Sequence, residues 1–243
     1  MAFVCRTVSP ILLLSLLGLA ACSPSAPKTA TAPAAKAASS LAEAVKTAPD
    51  TPSAPVSCAD EIGATAAQKR ADICRTVSPA THPPCNVANS CAMIEDEIAR
   101  SCALFDGQGS AMPGCSLAPQ SQAAAVAVVT RYYSALNARD YATAWTQWGD
   151  NGPPHQSLKA FQAGFVHTRS THVAIGAPAP SEGGAGSIYQ TVPVVVDAVR
   201  DDGQSQRFTG EYVIRRVNGV DGASPDQLRW HIDQAHLKPA APQ

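Results

Sequence analysis

The sequence predicts an α+β fold preceded by a small disulfide-stapled helical unit. Six cysteines fall between Cys58 and Cys115 and none follows. From about residue 120 apolar residues recur at three- and four-residue steps, and from His172 the period changes to two. Those are the spacings of buried helix faces and of half-buried strands. The 243 residues include 45 alanines and 20 prolines but only five Phe, five Tyr and three Trp, so the 45 % hydrophobic share overstates the core. Alanine buries little area. The net charge of −1 excludes a binder that relies on a basic excess to hold nucleic acid. Residues 58–119 carry four Lys/Arg against seven Asp/Glu, and residues 120–243 carry ten against ten. Neither segment projects a field toward a polyanion.

The first segment reads as an address. Arg6 precedes the apolar run Ile11–Ala20, which is too short for a bilayer span of about 20 residues. It fits the h-region of a secretory signal peptide over 1–21. The run ends Leu19-Ala20-Ala21-Cys22, which resembles the lipobox of bacterial lipoproteins. The resemblance implies that Cys22 is acylated and becomes the mature N-terminus. Ser23, with no Asp at that position, implies outer-membrane retention with the folded part facing the periplasm. Several acyl chains, at about 0.8 kcal/mol per buried CH₂, anchor a protein stably without spanning the bilayer. Residues 22–57 follow as an Ala/Pro-rich tether, punctuated by Pro24, Pro27, Pro33, Pro49, Pro52 and Pro55 and without an aromatic residue. Such a stretch cannot offset its ordering entropy. It would reach roughly 30–35 Å as a flexible coil and about 100 Å as polyproline helix.

Cys5 leaves with the leader, Cys22 takes lipid, and Cys58, Cys74, Cys85, Cys91, Cys102 and Cys115 remain. An even, clustered set in an exported chain is a disulfide framework. Zinc is disfavoured because no C-x-x-C occurs, and no metal or cofactor is expected. Ala59–Ile73 reads as one helix with Ile62, Ala66 and Ile73 apolar; Thr81-His82-Pro83-Pro84 forms a loop. Ser90 N-caps a second helix whose face is Cys91, Ile94, Ile98, Cys102 and Phe105. One arrangement among the 15 connectivities is Cys74–Cys91, Cys58–Cys102 and Cys85–Cys115. The run Glu95-Asp96-Glu97 reads as a solvated face near that helix start. The hexapeptide CRTVSP, at 5–10 and 74–79, has no matching context and is coincidence.

The second unit spans 120–239, with 240–243 as a tail. Gln120–Asn137 is a helix with Ala125, Val126, Val129, Tyr132, Tyr133 and Leu136 on one face. Asp140 caps a short helix over Tyr141–Trp148, and Ser157 opens a third through Phe165. Strands follow at His172–Ala177, Gly186–Arg200, Gln206–Val217 and Leu228–Leu237. Gly183-Gly184-Ala185-Gly186 is a turn between strands, not a phosphate loop. Alternation places Phe208, Tyr212, Ile214, Trp230 and Ile232 inward, and Arg207, Glu211, Arg215, His231 and Asp233 outward. The arginine-rich outer face (Arg207, Arg215, Arg216, Arg229) is solvated or a surface for protein contact, including dimerisation through the sheet.

Three helices followed by long meandering strands, opened by VVTRYYSALNARDYATAWTQWG, resemble the NTF2-like superfamily of cone-shaped α+β domains. The resemblance implies a pocket between helices and sheet, lined here by Tyr132, Tyr133, Trp145, Trp148, Tyr212 and Trp230. A packed apolar core is the plainer reading of the same six residues. The superfamily hosts isomerases, dehydratases and non-enzymatic modules, so fold alone does not select a function. The inner face offers rings and hydroxyls but no carboxylate. His82, His155, His167, His172, His231 and His236 form no metal pair, and no catalytic residue is assigned. The expectation is a non-enzymatic module that binds a periplasmic protein or a small envelope ligand, in the manner of an inhibitor or immunity lipoprotein. The alternative is an isomerase- or dehydratase-like enzyme working in the cone. Mass spectrometry of the mature chain is expected to find diacylglycerol on Cys22; an unmodified Cys22 in membrane-extracted protein would defeat the anchor.

Overall fold

The computed structural model describes residues 53–79, 83–106, 109–110, 112–149 and 151–241. The leader, Cys22, most of the tether and His82 lie outside the described residues. The described residues form one compact unit. Among the described residues six helices come first: α1 (Cys58–Ile62), α2 (Ala64–Val77), α3 (Cys91–Leu104), α4 (Gln122–Asn137), α5 (Tyr141–Thr146) and α6 (Leu158–Phe165). Five strands follow: β1 (Thr168–Ile175), β2 (Glu182–Gly184), β3 (Ser187–Arg200), β4 (Ser205–Val217) and β5 (His231–Ala240). They build one open antiparallel sheet in the order β1-β3-β4-β5, with β2 paired to β3. The fold is therefore α+β with a disulfide-bonded helical region. Among the described residues no helix is long and apolar enough to cross a membrane.

The expected first helix is two. Gly63, at φ 84°, takes a conformation that side chains resist and restarts the chain between α1 and α2. The restart changes the buried face. Ala67, Ala71, Cys74 and Val77 point inward, while Ile62 is 47 % exposed. The disulfides are Cys58–Cys91, Cys74–Cys85 and Cys102–Cys115, spanning 33, 11 and 13 residues. This corrects the pairing Cys74–Cys91, Cys58–Cys102 and Cys85–Cys115. That scheme laid the first helix along the whole of α3. With α1 turned at Gly63, Cys58 instead meets the start of α3. Cys74 closes on the loop that follows it, and Cys102 reaches forward to the loop before α4.

The caps match the residues expected. Ser90, Asp140 and Ser157 accept backbone N–H groups of Met93, Thr143 and Ala160 at the starts of α3, α5 and α6. The Gly-rich turn is a two-residue hairpin between β2 and β3, with Ala185 and Gly186 both at positive φ. In the sheet, Val192, Val194 and Val196 of β3 and Tyr212 and Ile214 of β4 face α4. Strict alternation also carries Arg216 inward, where it is 4 % exposed, so it leaves the outer face assigned to it. A bulge opposite Val213/Ile214 shifts the register of β5, so Ile232 and Leu237, an odd number of residues apart, both pack on the core.

Each staple is expected to contribute according to the loop it closes. Cys58→Ser/Cys91→Ser should lose about 3–4 kcal/mol and Cys74→Ser/Cys85→Ser about 3 kcal/mol in urea denaturation. Equal stability of either variant and the parent would contradict a structural role.

Candidate functional site

The six residues named as a pocket lining do not line one cavity. Tyr132, Tyr133, Tyr212 and Trp148 meet edge to face with ring centroids 5.1–6.4 Å apart. Trp145 packs on Phe161 at 5.7 Å and is held from the other side by Gly152, where a Cβ would overlap the indole. Tyr133 Oη and Tyr212 Oη share a hydrogen bond of 2.8 Å. Burial pushes the Tyr133 hydroxyl up to about 12, and the Tyr132 and Tyr212 hydroxyls also upward, so all three stay protonated at neutral pH. Among the described residues no carboxylate or histidine bonds to these hydroxyls. Glu211, His231 and Asp233 lie on the opposite face, where Asp233 stands 3.9 Å from Arg215. Burial pulls the half-buried His231 below the ordinary imidazole value.

The sixth residue, Trp230, opens onto a different space. A cavity of about 260 Å³ lies between α3, α4 and the segment entering β5. From α3 it is lined by Glu95, Ile98, Ala99, Cys102 and Ala103, and from α4 by Ala124, Ala127, Thr130 and Arg131. Ser116, Leu117 and Pro119, drawn in by the Cys102–Cys115 staple, form a third wall; Arg70, Arg229 and Trp230 complete it.

The electrostatics of this groove centre on Asp96. Its carboxylate accepts from Gln147 Nε2 at 2.9 Å and Arg229 Nη2 at 3.1 Å, with Arg131 Nε 3.6 Å away. Arg131 and Arg229 are only 12 % and 14 % exposed. Burial pulls the Arg131 guanidinium down from its ordinary value, and attraction to Asp96 pushes back. Gln147 is fully enclosed; its Oε1 accepts from Arg131 Nε and its backbone carbonyl from Ile232 N. Beside this node Glu95 takes Arg70 in a two-pronged pair at 2.5 Å. Glu97 accepts from Ser78, Ser101 and Arg100 on the remaining side of α3. The acidic run is therefore not a solvated face. Consecutive helix residues point about 100° apart, so each carboxylate meets a different neighbour. Arg229 likewise leaves the outer sheet face for Asp96.

Sequence reasoning missed Asp96, Arg131, Gln147 and Arg229 as a set. One signal was present: Arg131 is the one charged residue in the helix QAAAVAVVTRYYSALN. A lone charge on an otherwise apolar helix needs a partner from elsewhere. Among the described residues no group of three His, Cys, Asp or Glu could hold a metal ion.

No protein-family model matches the chain, and no curated protein matches it. Among solved structures, a conserved protein from Planctomyces limnophilus DSM 3776 aligns at 10 % identity and a TM-score of 0.37, over 49 % of this chain and 97 % of that one. A protein from Novosphingobium aromaticivorans DSM 12444, assigned provisionally as a scytalone dehydratase, aligns at 12 % identity and a TM-score of 0.36, over 49 % of this chain and 83 % of that one.

Removing the Asp96 charge strands two enclosed guanidiniums. Asp96→Asn is expected to lose about 3 kcal/mol in urea denaturation. Asp72→Asn, which breaks the exposed pair with Arg75, should lose about 0.5 kcal/mol or less. Equal losses would show that Asp96 is not a node.

Proposed function

We propose that this protein is an exported, lipid-anchored binding module without catalytic chemistry of its own. Its site is the groove between the stapled helices and α4, and it takes a small ligand from the cell envelope. The lipobox-like LAAC, Ser23 and the tether support outer-membrane placement with the folded part in the periplasm. Helices α4–α6 ahead of a meandering sheet support an NTF2-like cone.

The carrying observation is where the space lies. The layer between α4 and the sheet, where a cone enzyme would work, is filled by interlocked rings. Proton transfer there would need a base beside the Tyr133–Tyr212 hydroxyl pair. The described residues supply rings and phenols. The groove outside that layer has about 260 Å³ of room, mixed apolar and charged walls and two enclosed arginines. That volume suits a small ligand, near the lower end of small-molecule sites at roughly 300 Å³.

The mature protein, purified from membranes in mild detergent, is expected to gain thermal stability when an envelope small-molecule extract is added. Native mass spectrometry should then find one bound small molecule per chain. No shift and no bound mass, with the protein folded, would count against a ligand-binding role.

A further inference from the structure

The two helices that form the groove present matched stripes. On α4, Ala124, Ala127 and Arg131 follow at steps of three and four; on α3, Glu95, Ile98 or Ala99, and Cys102 or Ala103 do the same. Seven residues of helix span about 10 Å, so the groove is about that long. Its polarity is graded along that length. Arg131 meets Asp96 one residue beyond Glu95, so Arg70, Glu95, Arg131 and Arg229 gather at one end. Ala103 and Ala124, two turns farther along their helices, are joined by Leu117 and Pro119 in an apolar wall. Leu117 is 41 % exposed there, a large apolar side chain left without cover.

The polar end gathers three guanidiniums. Arg70, Arg131 and Arg229 line it, against Glu95 on the wall and Asp96 beneath. Asp226, 45 % exposed, also pairs with Arg229 at 3.7 Å, so three carboxylates balance three guanidiniums in charge, while each guanidinium carries five N–H donors. Behind the wall Arg216, 4 % exposed, stands over the Trp230 ring at 5.8 Å and donates to the carbonyl of Leu228. No carboxylate among the described residues lies within 4 Å of Arg216; Asp106 attracts it from farther away. Trp230, on the wall, keeps a buried indole N–H without a partner among the described residues. A low-exposure site with guanidinium N–H donors to spare is complementary to one anionic headgroup.

We propose that the groove binds a small apolar carboxylate, its headgroup between Arg131 and Arg229 and its hydrocarbon body along Ala127, Ala103 and Leu117. This rests on the binding-module reading and names the ligand class for that same groove. The carboxylate shares the two guanidiniums with Asp96 and takes N–H donors that Asp96 and Asp226 leave free. The hydrocarbon covers apolar surface that the described residues leave open. A cation would meet the arginines, and a neutral alcohol would engage fewer of their donors without charge assistance.

The test titrates the mature, membrane-extracted protein calorimetrically with octanoate, phenylacetate, octan-1-ol and octylamine. Octanoate or phenylacetate is expected to saturate one site per chain, the better of the two telling a linear from an aromatic body. Octan-1-ol should bind more weakly by about tenfold or more, the worth of a charge-assisted hydrogen bond, and octylamine not at all. Ala127→Leu should fill the groove and abolish binding with the circular dichroism spectrum unchanged. Arg229→Gln should weaken octanoate but not octan-1-ol. Equal binding of acid and alcohol, or octanoate binding that survives Ala127→Leu, would overturn the assignment. So would the absence of saturable binding of either acid. If the envelope extract still yields a bound small molecule that neither acid displaces, the carboxylate falls and the binding module stands. If the extract yields none, both fall.

Discussion

Asp96 sits where three parts of the chain meet, and the joining of the stapled helices to the sheet region turns on its charge. Arg131 from α4, Arg229 from the entry to β5 and Gln147 from the end of α5 all converge on one carboxylate. None of the arginines could be enclosed without it, because an unpaired guanidinium at such low exposure is too costly to desolvate. All three approach the same carboxylate oxygen, Oδ1, so one atom carries the node. Gln147 extends it into the sheet through Ile232 N.

A second junction follows the same logic around one carboxylate and two hydroxyls. Ser90 and Asp140, the N-caps of α3 and α5, are both buried, and Ser90 Oγ donates to Asp140 Oδ2 at 2.6 Å while accepting from Met93 N. Asp140 also takes Thr143 N and Thr143 Oγ1. Two helix starts thus satisfy their free N–H groups and lock to each other in one network. The disulfides hold α1–α3 in the shape that presents these groups. The helices have too few large apolar residues to do so by burial alone.

The two junctions also explain why a groove is left. They draw α3 against α4 at the Asp96 end, where charges set the spacing. Farther along, small residues such as Ala99, Ala103, Ala124 and Ala127 face each other and cannot fill the gap. The layer between α4 and the sheet carries Tyr132, Tyr133, Trp148 and Phe161, whose rings pack against one another. Large side chains made a packed core on one face of α4, and alanines made a cavity on the other.

Much of this was legible from the chain alone. Helix starts at Ser90, Asp140 and Ser157, a strand run from His172 onward, and the inward set Tyr212, Ile214, Trp230 and Ile232 all follow from local rules of capping and alternation. That the six cysteines are staples follows from their number and clustering. Which cysteine meets which, and where Asp96, Arg131 and Arg229 come together, did not follow. Those contacts join residues 33, 35 and 133 positions apart. Spacing along a sequence reports the faces of one helix or strand, but not how separate elements turn against each other. Here the turn at Gly63 and the meeting of α3 with α4 decided it. An acidic run that looks solvated by itself became, in the folded chain, the point where its two halves are joined.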